Sequence, residues 1–180
     1  MPSSRPFVVS VFIGTSYDGF IARSDGDIGW LNSRAEGAGD YGYDAFMAGV
    51  DTVVMGRATY EVVIGFGPEM WPFAGKNVHV LSTRLDTDVD ERVTVHRSFD
   101  DLVTALTEQG AKRVYADGGQ LIQTFLRAGL VDDITVTRAP VLIGTGLPLF
   151  GPLDADVDLT HDSTRVLGAG FTQSTYHVTR

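Results

Sequence analysis

The 180-residue sequence has no cysteine, which excludes disulfides, thiolate-held zinc, iron–sulfur clusters and a cysteine nucleophile. It also suits a reducing compartment, so a cytoplasmic location is expected. Basic residues are few, 14 Lys and Arg against 23 Asp and Glu, for a formal charge of −9. Affinity for nucleic acid or anionic lipid comes mainly from Lys and Arg meeting phosphates, so neither partner is expected. A phosphate-bearing ligand would have to be held by a few local cations and by backbone N–H groups. Uncharged apolar runs are short. None approaches the roughly 18 residues of a membrane span, and residues 1–6, with one Arg and no apolar core, do not read as a signal peptide.

What is present is an ordinary globular composition, 43% hydrophobic and 21% charged, with 21 glycines. Phe7–Thr15 reads as a buried strand, rich in β-branched and aromatic residues. Tyr17–Asn32 mixes Gly, Asp and Ser with isolated apolar residues and is expected to be a long functional loop. Tyr43–Gly49 has helical spacing, Thr52–Met55 is a short apolar strand meeting Gly56, and Ala58–Ile64 a short helix. Asn77–Leu81 and Val93–His96 are further strands. Ser98 with Asp101 marks the start of a helix carrying Phe99, Leu102, Val103 and Leu106. Arg113–Ala116 is a strand, then a helix carries Leu121, Ile122, Phe125 and Leu126 up to Gly129. From Ile134 onward only strands are expected. Alternating strand and helix followed by strands alone predicts an α/β fold, with a mixed, mostly parallel sheet and antiparallel strands at one edge. Neither a linker nor a repeat is visible, and one domain over 1–180 is expected.

Two strand–glycine–helix junctions stand out, Val54-Met55-Gly56-Arg57-Ala58-Thr59 and Tyr115-Ala116-Asp117-Gly118-Gly119-Gln120. A glycine at a strand's carboxyl end lets a ligand approach the backbone, and the following helix offers unpaired N–H groups to an anion. Each junction alone also fits a plain connection, and neither is a GxGxxG fingerprint or a P-loop. Arg57, in a first helical turn, opposes the helix dipole, which suits an external anion or an ion pair with Glu61. Val80-Leu81-Ser82-Thr83-Arg84 delivers two hydroxyls and a guanidinium at a third strand end, a grouping able to bind a terminal phosphate.

These three motifs, in this order, resemble those of dihydrofolate reductase-like proteins. The segment Ala139-Pro140-Val141-Leu142-Ile143-Gly144-Thr145-Gly146-Leu147-Pro148-Leu149-Phe150 is similar to stand-alone proteins related to the reductase domain of bifunctional riboflavin biosynthesis proteins. The resemblance spans about Phe7 to Phe150. It implies the dihydrofolate reductase-like fold and NADPH as cofactor. Gly56, Arg57 and Thr59 would hold the pyrophosphate and adenosine-side phosphates, and Leu81, Ser82, Thr83 and Arg84 the adenosine and its 2′-phosphate. Asp117, Gly118, Gly119, Gln120, Leu121 and Ile122 would line the way to the nicotinamide, bordered by Ile13, Gly14 and the Gly19, Phe20, Ile21 loop. Trp30, Asp44 and Thr137 would face the substrate.

Reducing a C=N bond needs a hydride at carbon and a proton at nitrogen. Counting back from Gly56-Arg57, the position of the single carboxylate of dihydrofolate reductase falls on Asp40, with Asp44 its rival and ordered water a third source; Asp40 also fits a helix N-cap. Gly29 before Trp30, Asp117 in place of a first glycine and the Pro-Leu-Phe tail all point away from dihydrofolate. The resemblance implies an NADPH-dependent reductase of a small heteroaromatic or ribosylamine substrate, closest to 5-amino-6-(5-phosphoribosylamino)uracil reductase. A dihydrofolate reductase or other small-molecule reductase, and a non-catalytic dinucleotide-binding module, are the alternatives. Arg23, Arg34 and Arg138 are candidates to meet a substrate phosphate. His79, His96, His161 and His177 lack metal-ligand spacing and read as structural or surface residues, so no metal is expected. The strand-rich tail suggests a homodimer paired through sheet edges.

Overall fold

The structure, a computed structural model, describes residues 5–180. Eight strands form one sheet in the order β5-β4-β3-β6-β1-β7-β10-β9. The first six in that order are β5 (Thr94–His96), β4 (Asn77–Leu81), β3 (Thr52–Gly56), β6 (Arg113–Asp117), β1 (Val8–Thr15) and β7 (Asp133–Arg138), all parallel. Strands β10 (Thr172–Val178) and β9 (Leu159–Val166) then add antiparallel at the far edge. Parallel strands need helical crossovers, and these cover both faces of the parallel part, which is why its strands read as near-continuous apolar runs.

Successive side chains of a strand point to opposite faces. Val54 accordingly joins the core beneath α4 (Phe99–Glu108) and α5 (Gly119–Arg127), while Val53 and Met55 join the core beneath α2 (Tyr43–Ala48) and α3 (Arg57–Gly65). Helix α4 starts as its sequence dictates, with Ser98 Oγ accepting the Asp101 N–H at 3.1 Å. Helix α5 buries Leu121, Ile122, Phe125 and Leu126. Each such side chain contributes about 1.5–3 kcal/mol of transfer free energy, so α5 is firmly seated.

The segment Tyr17–Asn32, expected to be a loop, holds two short elements: β2 (Phe20–Ala22) and the start of α1 (Gly29–Ala35). A three-residue strand is too short to show a period, and α1 buries only Trp30, so no amphipathic stripe forms. Strand β2 pairs with β8 (Leu147–Pro148) in a separate two-stranded ribbon. The Asp18 carboxylate ties this ribbon down by accepting N–H bonds from Ile143 (3.2 Å) and Gly144 (2.8 Å). Those bonds, with one from Ser16, hold its pKa below the usual carboxylate range. Because six strands run parallel, their carboxyl ends share one rim, where open α/β sheets place ligands.

Candidate active site

Three of the expected segments converge on that rim. The ends of β3 and β6 are neighbours, with Val54 opposite Ala116 and Met55 opposite Asp117. Helices α3 and α5 leave directly from them, neither with a side-chain cap, so first-turn N–H groups of both are free for an anion. Gly118 has φ +99°, and a Cβ there would lie 2.7 Å from Thr59 Oγ1. Only glycine lets the two helix starts come this close. At Gly119 a Cβ would meet Ile21 Cδ1 at 2.9 Å and the Pro148 carbonyl at 3.0 Å, so the β2–β8 ribbon roofs the start of α5. Beside Gly56 there is open space. Two adjacent uncapped helix starts separated by a glycine form a cradle fitting a pyrophosphate.

At the β4 end, Ser82 Oγ accepts the N–H groups of Arg84 (3.2 Å) and Leu85 (3.0 Å), leaving its own hydrogen free to donate. Thr83 and Arg84 are exposed beside it. Sequence reasoning missed Arg97, one residue past β5, whose Nη1 donates to the Ser82 carbonyl at 2.9 Å. Its signal was its place immediately after a strand that ends beside β4. Arg57, by contrast, forms the i,i+4 pair with Glu61 at 2.8 Å, both half-exposed. Gln120 is exposed, Leu121 and Ile122 are buried in the core, and Leu81 is partly buried.

Next to this cleft, on the α2 face of the sheet, lies a cavity of about 260 Å³. It is bounded by the ends of β1 and β7 and by α1 and α2, and its lining includes Ile13, Gly14 and Thr137. Phe12 stacks on Phe46 of α2 at 4.7 Å, and Phe46 meets Tyr115 edge-on at 5.2 Å. This aromatic column seats the short α2 and places Tyr43, one turn earlier, on the cavity wall. Trp30 is buried against Ala38, Ala139 and Phe171 and supports the wall from behind instead of closing it.

The candidate acids separate clearly. Asp40 is exposed in the loop before α2 and accepts the Gly42 N–H at 2.7 Å, so it shapes a turn and lacks the expected partial burial. Three glycines between α1 and α2, at positions 37, 39 and 42, open the chain there, so counting residues back from β3 does not locate a helical carboxylate. Asp44 is exposed on α2. Asp117 ends β6 partly buried, and desolvation pushes its pKa up to about 6, while the neighbouring Tyr115 phenol donates to the Phe12 carbonyl at 3.1 Å. Burial first, then Asp117 and Asp44, push the pKa of the Tyr43 phenol up. Asp117 stands at the end of β6 beside Gly118, and neither it nor Asp44 belongs to the cavity lining.

The fold and cleft define a dihydrofolate reductase-like protein. Dihydrofolate reductase from Enterococcus faecalis, complexed with NADP(H), shares the fold at a TM-score of 0.69 and 18% identity over 98% of each chain. More narrowly, the chain belongs to the RibD C-terminal domain family, which it matches over residues 6–172. The uncharacterized protein YwjB of Bacillus subtilis (strain 168) is 36% identical over 160 residues, 88% of this chain and 91% of that one. A Shewanella sp. PV-4 protein assigned by name to riboflavin biosynthesis is 36% identical with a TM-score of 0.85, over 97% of this chain and all of that one.

Proposed function

We propose that the protein is an NADPH-dependent reductase of a small heteroaromatic or ribosylamine substrate, in the class of 5-amino-6-(5-phosphoribosylamino)uracil reductase. The observation that carries this reading is the phosphate cradle where β3 and β6 end side by side, with the partly buried Asp117 closing β6, its pKa raised to about 6, next to Gly118. Groups with perturbed pKa values in clefts are candidates for proton transfer.

The cradle residues fit the cofactor. The free N–H groups of α3 and α5 about Gly56, Thr59, Gly118 and Gly119 would hold its pyrophosphate, and Ser82, Thr83, Arg84 and Arg97 its 2′-phosphate. When bound, it supplies a hydride to the electron-poor carbon of a C=N or C=O bond. Asp117 would then give its proton to the heteroatom. The β2–β8 ribbon and the aromatic wall exclude water. A pKa of about 6 leaves Asp117 partly protonated near neutral pH, which suits a general acid.

The test is fluorescence titration with NADPH and NADH, followed by a reductase screen over dihydropterins and aminopyrimidines. NADPH should bind about tenfold or more tightly than NADH, since charge-assisted bonds to a 2′-phosphate are worth about 1.5–3 kcal/mol. Asp117→Asn should lower kcat by roughly 10²–10⁴-fold with NADPH affinity nearly unchanged. Wild-type kcat should fall as pH rises through about 6. Failure of NADPH to bind, or full activity in Asp117→Asn, would refute the reading.

A further inference from the structure

We infer that the aromatic cavity at the ends of β1 and β7 selects a neutral, phosphate-free heterocycle and discriminates against a phosphoribosyl ester, an inference that rests on the reductase reading above. Four aromatic rings line it, those of Phe12, Tyr41, Tyr43 and Phe171, with Asn32 and Thr137 as its polar side chains. Among the described residues its lining holds no Lys, Arg or His. A dianionic phosphate entering it would lose water and gain no counter-charge.

The cations that sequence reasoning offered for such a phosphate are committed or turned away. Arg34 donates to the Trp30 carbonyl at 2.7 Å, and Arg23 pairs with Asp27 at 3.6 Å. Arg138 follows Thr137 on β7, so strand alternation sends its side chain to the other face. Arg165, on β9, donates through Nε to Gln173 Oε1 at 2.8 Å.

The polar groups also define what the occupant must offer. Arg165 can only donate, so Gln173 turns Oε1 toward it and Nε2 toward Thr137, whose Oγ1 accepts that bond at 2.8 Å. Thr137 therefore has its own hydrogen free, aimed at a ring nitrogen or carbonyl oxygen of an occupant. Asn32 makes no side-chain hydrogen bond among the described residues and can meet either a donor or an acceptor. A volume of about 260 Å³ lies just under the roughly 300–1,000 Å³ of drug-sized pockets. It suits one or two fused rings stacked between aromatic side chains, with a carbonyl or ring nitrogen on Thr137.

A matched pair of probes tests this: 5-amino-6-ribitylaminouracil and its 5′-phosphate, titrated calorimetrically into the NADPH-saturated protein. The free compound should bind about tenfold tighter than the phosphate, which loses water without gaining a counter-charge. Asn32→Arg should tighten phosphate binding about fivefold or more. Equal or tighter binding of the phosphate to the wild type overturns the inference, as does binding of neither probe. If NADPH itself does not bind, the failure belongs to the cofactor reading, whereas NADPH binding with a preference for the phosphate ester sinks this inference alone.

Discussion

Lowering the pH should destabilise this fold through one buried pair, His79 and His96. His79 on β4 and His96 on β5 are stacked, with Nδ1 of the first 2.7 Å from Nε2 of the second. The hydrogens can be assigned along a chain that begins at a group able only to accept. The Asp51 carboxylate accepts from Thr52 at 2.6 Å, and Thr52 accepts from Gln109 Nε2 at 3.4 Å. Gln109 thus presents Oε1 to His79 Nε2–H at 3.0 Å, which leaves His79 Nδ1 to accept from His96 Nε2–H. Adding a proton to both rings would set two donors 2.7 Å apart. Burial first, and then His96, lower the His79 pKa to about 4; His96 is lowered by burial and partly restored by Asp101.

Both folded pKa values lie below the unfolded value of about 6.5, so the unfolded chain takes up protons first. The contribution is fully present above pH 6.5 and is lost as pH falls toward 4. For His79 alone, the fall from the unfolded value to about 4 corresponds to roughly 3 kcal/mol, a large part of a typical 5–15 kcal/mol stability. Urea denaturation of the wild type and of His79→Gln from pH 7.5 to 4.5 isolates the pair, because the titration of groups that do not touch it cancels in the difference. The wild type should lose about 3 kcal/mol more than the variant as pH approaches 4. Parallel curves, or a wild type that gains stability on acidification, would refute the assigned neutral pair.

Two further predictions test the site's architecture and the assembly. Gly118→Ala places a Cβ 2.7 Å from Thr59 Oγ1 at φ +99°, so it should cost more than about 1 kcal/mol and weaken NADPH about tenfold. The control Gly110→Ala, with positive φ but open space, should cost stability alone when both are followed by thermal melts and cofactor titration. Strand β9 is exposed along its whole length at a sheet edge, with Val166 80% exposed, and we propose that a second copy covers it. Light scattering should give twice the chain mass at micromolar concentration; a monomer would reject this.

Most of the scaffold was legible because its elements carry strong local signals. Asn77–Leu81 is bounded as expected, α4 begins at its Ser98 cap, and α5 follows from a stripe of four large apolar residues. The elements that escaped reading were those held by tertiary contacts. Strand β2 exists because β8 pairs with it and Asp18 anchors the turn, neither of which leaves a period in three residues. The histidines were legible as structural but not as a pair, because 17 residues separate them and only the parallel register of β4 and β5 joins them.

The acid shows the same divide at the site. A residue count from β3 assigns the role to Asp40 on the premise that a helix runs unbroken up to the strand. Here α1 stops at Ala35, and a glycine-rich turn intervenes before α2 opens at Tyr43. Asp40 is consumed within that turn, its carboxylate on the Gly42 N–H. The carboxyl that we propose as the proton source instead comes from β6, in a motif that the resemblance assigns to the cofactor. Asp117 closes a strand whose preceding residues are buried, and strand alternation puts it on the same face as Tyr115, under α2. A carboxylate there is partly buried by the packing of the sheet itself. In the proposed reading one residue stands at the junction of both ligands, because the turn at Gly118 also ends the strand that carries Asp117.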